Sequence, residues 1–147
     1  MKSIDKTQPY LITGGKHIDE RGCIKFINDF DMSAVKRLYF TEHFTTDVIR
    51  AWQAHIVEKR WFLCVEGEFL IKLVKIDDFE NPSENLRVFK YYLESKTPQI
   101  LYIPEGYANG FQAKKENSKL MIFADYALGV NPDDQIRYDK NKWSSWK

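Results

Sequence analysis

Three histidines, His17, His43 and His55, are the side chains of this sequence that change charge near neutral pH. His17 and His43 stand in polar, loop-like sequence and are expected at the surface. His55 is different. It closes a run of strand-like character, Asp47 to His55, and is followed at once by the charged Glu58-Lys59-Arg60. A histidine at a strand end, with Arg50 and Arg60 close in sequence, is the best placed group for general acid–base work. Side-chain alternation puts Gln53 and His55 on one face, and Arg60, Phe62 and Cys64 together on one face of the next strand. Arg50 is three residues from Gln53, so strict alternation sends it to the opposite face. It joins the same site only if a bulge intervenes, and otherwise reads as a surface or interface ion pair.

The elements that position these groups are short. Gly14-Gly15, Arg21-Gly22, Asn28-Asp29, Glu66-Gly67, Asn81-Pro82, Thr97-Pro98, Pro104-Glu105-Gly106, Asn109-Gly110 and Asn131-Pro132 punctuate the chain as turns. Between them lie segments rich in β-branched and aromatic residues at 23–27, 35–40, 48–54, 61–65, 69–76, 88–93, 99–103, 107–113 and 120–126. None keeps a helical period over the length a helix needs. The segment 69–76 is the strongest strand, entered through a tight turn at 65–68. About nine short strands with turns between them predict an all-β sandwich or barrel.

With 147 residues and no repeat or composition break, the chain is expected to form a single domain, 1–147. Its 22 Lys+Arg against 21 Asp+Glu leave a formal net charge of +1, which argues against a nucleic-acid binder and leaves room for a local basic pocket. No apolar stretch approaches the roughly 18 residues that span a bilayer, so no membrane contact is expected. Met1 to Tyr10 lacks the apolar centre of a signal peptide. Two cysteines, Cys23 and Cys64, do not make a disulfide scaffold. These features predict a soluble cytoplasmic protein. There is no GxGxxG, P-loop or GxSxG, so the usual cofactor and nucleophile fingerprints are missing.

Several blocks resemble the sugar-nucleotide branch of the cupins. Arg50-Ala51-Trp52-Gln53-Ala54-His55 followed by Cys64-Val65-Glu66-Gly67 resembles the RGxHAH…CVxG signature of dTDP-4-keto sugar 3,4-ketoisomerases. Asp19-Glu20-Arg21-Gly22 and the stretch from Ile103 to Phe111, IPEGYANGF, resemble the DERG and IPxGFAHGF stretches of dTDP-4-dehydrorhamnose 3,5-epimerases. Lys36-Arg37-Leu38-Tyr39 resembles the KRxY strand of the ketoisomerases, and Asp125-Tyr126 and Ile136-Arg137-Tyr138-Asp139 match further blocks. The strand around Gln53 is most similar to a WxcM-like "sugar epimerase" group with an RxWQGH-like pattern. The resemblance runs in order from about residue 12 to 139 and implies an RmlC-like cupin, a jelly-roll barrel.

The departures bear on the chemistry. The general cupin metal positions read Gln53, His55, Arg60 and Asn109 here, a set without an anionic ligand and with a positive charge inside it, so no metal and no other cofactor is expected. The epimerases place a catalytic histidine where this chain has Gln53, a tyrosine near Met121, and an aspartate in an extension that would lie beyond Lys147. Asn109 fills the PxGxxH position and can hydrogen-bond a sugar or a water but cannot act as acid or base.

By resemblance, the substrate is a dTDP-linked (or other nucleotide-linked) 4-keto-6-deoxy hexose on the way to cell-surface polysaccharide. The carbonyl acidifies the neighbouring C–H, so a base, an oxyanion donor and an acid are needed. His55 is the expected base, Gln53 and Arg60 the oxyanion donors, and Tyr39 the proton donor. Arg21, Arg50 and Arg60, with Lys72, are the expected diphosphate ligands. Tyr107, Phe111 and Trp52 are candidates to stack on the base, against ordinary core packing. The resemblance also implies a homodimer in which an N-terminal strand extends the partner's sheet, bringing Arg21 toward the neighbouring site. The basic-aromatic end, 140–147, could dock on a partner or fold over the barrel mouth, with a packed end-strand as the default expectation. The competing reading is a silent barrel of the same fold that holds a nucleotide sugar without turning it over.

Overall fold

The computed structural model describes residues 4–147; Met1–Ser3, the start of the stretch read above for a leader, lie outside them. Every regular element among the described residues is a strand: β1 (Tyr10–Thr13), β2 (Gly15–Asp19), β3 (Gly22–Phe26), β4 (Arg37–His43), β5 (Ile49–His55), β6 (Arg60–Glu66), β7 (Glu68–Lys75), β8 (Val88–Glu94), β9 (Gln99–Ile103), β10 (Tyr107–Ala113), β11 (Ser118–Ala124) and β12 (Gln135–Arg137). No helix among the described residues is long and apolar enough to cross a membrane. The nine expected strands are all present, two of them, β9 and β10, with the expected bounds. The segments missed, β1, β2 and β12, are too short or too polar to show an apolar alternation of their own.

Two five-stranded antiparallel sheets form the body, ordered β1-β9-β6-β11-β4 and β12-β5-β10-β7-β8, with β2-β3 as a separate hairpin. Inward side chains of both sheets meet in one core that includes Phe62, Phe69, Ile71, Leu73, Leu101, Phe111 and Leu120. Each such apolar side chain contributes on the order of 1.5–3 kcal/mol when fully buried. The outer faces are covered too. The 27–35 loop brings Ile27, Phe30 and Val35 onto Trp61, Ile100, Tyr102 and Phe123 of the first sheet. The C-terminal segment lays Trp143 and Trp146 over Trp52, Leu70, Val74 and Ala108 of the second. Much of the 15 % aromatic content therefore serves packing on three layers.

This layering explains why β7 is apolar almost throughout and where its lysine goes. Phe69, Ile71 and Leu73 point into the core, so Leu70, Lys72 and Val74 point outward, under the C-terminal segment. On β4 the alternation is open to solvent on one side: Leu38 and Phe40 are exposed, while Arg37, Tyr39 and Thr41 turn inward.

One irregularity shapes the functional end of the barrel. Against β10, Gln53 pairs with Asn109 but Arg50 pairs with Phe111, so β5 spends one residue more than its partner over this span. Such a bulge shifts the side-chain alternation by one. Gly110 lies beside the extra residue. A Cβ there would come within 2.6 Å of the Ala51 Cβ and 2.8 Å of the Trp146 ring, so a side chain at this position collides with both the bulge and the tail.

Candidate active site

A cavity of about 470 Å³ opens between the two sheets. β4 contributes Arg37, Tyr39 and Thr41, β5 contributes Arg50, Gln53 and His55, and β6 contributes Arg60. Asn109 on β10 and Gln135 and Arg137 on β12 close the wall. Because β4 and β6 belong to one sheet and β5, β10 and β12 to the other, Tyr39 and Arg60 face the cavity from the wall opposite His55 and Gln53. Gln53, His55, Arg60 and Asn109, the four positions of the general cupin ligand pattern, do meet in this one cavity.

His55 is buried and held on both nitrogens. Its Nδ1 lies 3.4 Å from the Asp134 carboxylate, and its Nε2 accepts from Arg60 Nε at 3.3 Å. Asp134 is itself fixed by backbone donors, accepting from the Val57 N–H at 2.6 Å and the Glu58 N–H at 3.1 Å. This network assigns the proton of the neutral ring to Nδ1 and engages the Nε2 lone pair with the Arg60 Nε–H, so that lone pair is free for a substrate only when the Arg60 donor turns away from it. Burial, with the Arg60 and Arg37 cations, pushes the His55 pKa down to about 4 against the opposing pull of Asp134. The imidazole is therefore neutral at physiological pH and able to take a proton.

Arg60 is buried as well. Its Nη2 pairs with Glu58 Oε1 at 3.2 Å, while Nη1 has no protein acceptor among the described residues. A buried guanidinium with one free N–H pair is a ready donor to an anionic oxygen. Burial raises the Glu58 pKa, which Arg60 opposes. Ligand atoms of His55, Glu58 and Asp134 converge within 4.8 Å, and Arg60 contacts the first two, so a cation of the chain's own already serves this cluster.

Four guanidiniums line the cavity, and only Arg60 has a carboxylate partner among the described residues. Arg37 lies over the Tyr39 ring at 4.5 Å. With the Gln135 amide turned so that its oxygen faces these donors, it accepts from Gln53 Nε2 at 2.8 Å and from Arg137 Nη2 at 2.7 Å. Arg50 Nε donates to His43 Nε2 at 3.1 Å. The bulge turns Arg50 inward, so its side chain lines the cavity.

Two of the expected ligands are elsewhere in this chain. Lys72 points to the outer face, where its Nζ donates to Ser144 Oγ at 2.8 Å and to the Ser145 carbonyl at 2.6 Å and lies 4.3 Å from the Trp146 ring. It anchors the C-terminal segment, and burial holds its pKa below the usual lysine value. Arg21 is exposed at the β2–β3 turn and paired with Asp19 at 2.6 Å. His43, expected at the surface, is a correction: it is 2 % exposed, because β4 runs three residues further than expected and carries it inward. Of the candidate stacking residues, Phe111 lines the cavity and Tyr107 is core. Trp52 also borders the cavity, while its ring packs against Trp143 and Trp146. Cys64 is a free thiol in the core, pushed up to about 12 by burial and so no nucleophile.

Sequence reasoning missed Arg37, Arg137, Asp134 and Glu58 as working groups. Arg37 was legible, being two residues from Tyr39 on a strand. Asp134 carried no local signal, since it meets His55 only through the β12–β5 pairing.

An antiparallel jelly roll with an arginine-lined mouth and a carboxylate-backed histidine defines an RmlC-like cupin of the sugar-nucleotide isomerase and epimerase class. The comparisons with known proteins give the family. The sequence model of the dTDP-4-dehydrorhamnose 3,5-epimerase family matches residues 7–144, and the chain belongs to that family. Among solved structures, it is similar to the rmlC epimerase of Mycobacterium tuberculosis (22 % identity, 93 % of this chain and 72 % of that one, TM-score 0.71). It is also similar to dTDP-4-dehydrorhamnose 3,5-epimerase of Bacillus anthracis with TDP and PPi bound (14 %, 95 % and 83 %, 0.76). A third is the sugar 3,4-ketoisomerase QdtA of Thermoanaerobacterium thermosaccharolyticum in complex with TDP (22 %, 88 % and 88 %, 0.68). No curated protein matches the chain significantly.

Proposed function

We propose that this protein isomerises or epimerises a dTDP-linked 4-keto-6-deoxy hexose at the carbon beside the carbonyl, with no metal in the step. The observation that carries the reading is the neutral His55, backed by Asp134 and set in a pocket of guanidiniums. Arg60 turns its Nε–H from His55 to the bound substrate, the freed Nε2 lone pair takes the C3 proton, and the imidazolium so formed is stabilised by Asp134. The C–H electron pair moves into the carbonyl, and the enolate oxygen is met by Arg60 Nη1 with Gln53 in support. Tyr39, on the facing wall, returns a proton from the other side. Arg37, Arg50 and Arg137 hold the diphosphate, and Asn109 orients the sugar. Glu58 keeps Arg60 in place.

Incubation with dTDP-4-keto-6-deoxyglucose in D₂O, followed by NMR, tests this directly. Deuterium entering at C3 alone is the expected result. Measurable binding without exchange at C3 or C5 overturns the enzymatic reading for this substrate and leaves the silent binding barrel, which Gln53 and Asn109, neither able to transfer a proton, would favour. The His55→Ala variant is expected to lose exchange while keeping nucleotide affinity within about tenfold.

The same reading sets the protein to work in the cytoplasm, on precursors of cell-surface polysaccharide, as a homodimer. Leu38 and Phe40 on the edge strand β4, with Ile18, Ile24 and Phe26 on the β2–β3 hairpin, present apolar surface suited to a second copy. In this arrangement Arg21 at the hairpin turn would reach the neighbouring site. β1 pairs with β9 of its own chain, so strand exchange would trade that pairing for the partner's equivalent. Light scattering should return the mass of two chains, and a monomer at micromolar concentration overturns the dimer.

A further inference from the structure

We infer that His43 is a positioning residue for ligand binding: its ring fixes the Arg50 guanidinium so that both terminal nitrogens face an anion in the cavity. The inference rests on the reading of that cavity as an anion site. His43 does not itself line it. The ring is 2 % exposed and sits between Phe69, 5.3 Å away and edge-on, and Phe111 at 5.6 Å. A phenyl ring would suit such a place at least as well. The imidazole brings two polar nitrogens into it, and one of them, Nδ1, is buried with no partner among the described residues. Leaving a buried donor unpaired costs on the order of 1–3 kcal/mol. The other nitrogen, Nε2, makes the ring's one hydrogen bond among the described residues, accepting from Arg50 Nε at 3.1 Å.

That bond has a definite chemical consequence. Arg50 Nε can donate only to a neutral ring with its lone pair on Nε2, so the proton stays on Nδ1. Burial first, and then the Arg50 cation, keep the His43 pKa below its ordinary value and hold the ring in that form. With Nε occupied, Arg50 Nη1 and Nη2 remain for a ligand, and a phosphate oxygen pair accepts from such an end in bidentate fashion. Arg50 needs this support. It is solvent-exposed, it has no carboxylate partner among the described residues, and only the bulge in β5 turns it inward. A long side chain held at its stem loses less freedom when the ligand arrives.

The test is a binding cycle with dTDP and with inorganic pyrophosphate, measured by calorimetry on the wild type, His43→Phe, His43→Gln, Arg50→Gln and the double variant H43F/R50Q. His43→Phe should weaken dTDP about tenfold with its melting temperature little changed. His43→Gln, which keeps an acceptor, should recover most of that loss. In the Arg50→Gln background, His43→Phe should have no further effect. A full His43→Phe loss in both backgrounds, or no loss in either, assigns the ring to packing and overturns the inference. NMR of ¹⁵N-arginine-labelled protein supplies a ligand-free arm: the Arg50 Nε–H should be protected from exchange in the wild type and exposed in His43→Phe. Equal protection in both overturns the contact. A wild type that shows the protected Nε–H yet binds neither dTDP nor pyrophosphate overturns the anion-site reading, and the purpose inferred for His43 with it.

Discussion

Lowering the pH from 7.5 to 5 should cost this protein about 2 kcal/mol of folding stability at His55 alone. The folded chain holds this ring near a pKa of about 4, against an ordinary value of 6.5, chiefly by burial. As pH falls through 6.5 the unfolded chain takes up a proton there, and the folded chain does not until about pH 4. The stability is thus fully present above the unfolded pKa and is lost between 6.5 and about 4. At about 1.4 kcal/mol per pH unit this window is worth roughly 3 kcal/mol, of which about 2 is gone by pH 5. Urea unfolding followed by tryptophan fluorescence at pH 7.5 and 5, on wild type and His55→Gln, isolates the effect. Carboxylates and His43 titrate in both proteins, so the difference between the two pH losses belongs to His55 and the groups coupled to it. If both proteins lose the same stability, the neutral buried imidazole, and the base role built on it, is refuted.

Three further outcomes follow from the geometry. Asp134→Asn removes the charge behind His55 and should slow C3 exchange by about 100-fold or more, with dTDP affinity retained, as read by NMR exchange and calorimetry. Lys72→Met should lower stability by about 1–3 kcal/mol, since the Ser145 carbonyl loses its buried partner, and leave dTDP affinity unchanged; a weakened affinity would return Lys72 to the ligand site. Gly110→Ala should lower both stability, by about 1–3 kcal/mol, and dTDP affinity, because its Cβ presses on the bulge that aims Arg50.

What the sequence determined by itself was set by local rules. Turn residues and the runs of β-branched and aromatic side chains between them predict nine of the strands, and parity along them turns Gln53, His55 and Arg60 to the inside, where they meet. The same parity, carried along 69–76, would have sent Lys72 outward with Leu70 and Val74. Extending the β4 pattern to residue 43 would have buried His43 on the face of Tyr39. Both placements follow from the alternation of their own strands.

Arg50 and Asp134 were of another kind. Whether Arg50 faces in or out depends on one extra residue in β5, and that bulge exists only against β10, with Gly110 making room and Trp146 closing over it. Asp134 reaches His55 because β12 pairs with β5, and backbone donors from the loop after His55 hold its carboxylate there. A strand's alternation is a property of its own residues, whereas a bulge, a register and a buried ion pair belong to two segments at once. The near-neutral chain accordingly carries a strongly cationic pocket that no local stretch announces, assembled from arginines on four different strands.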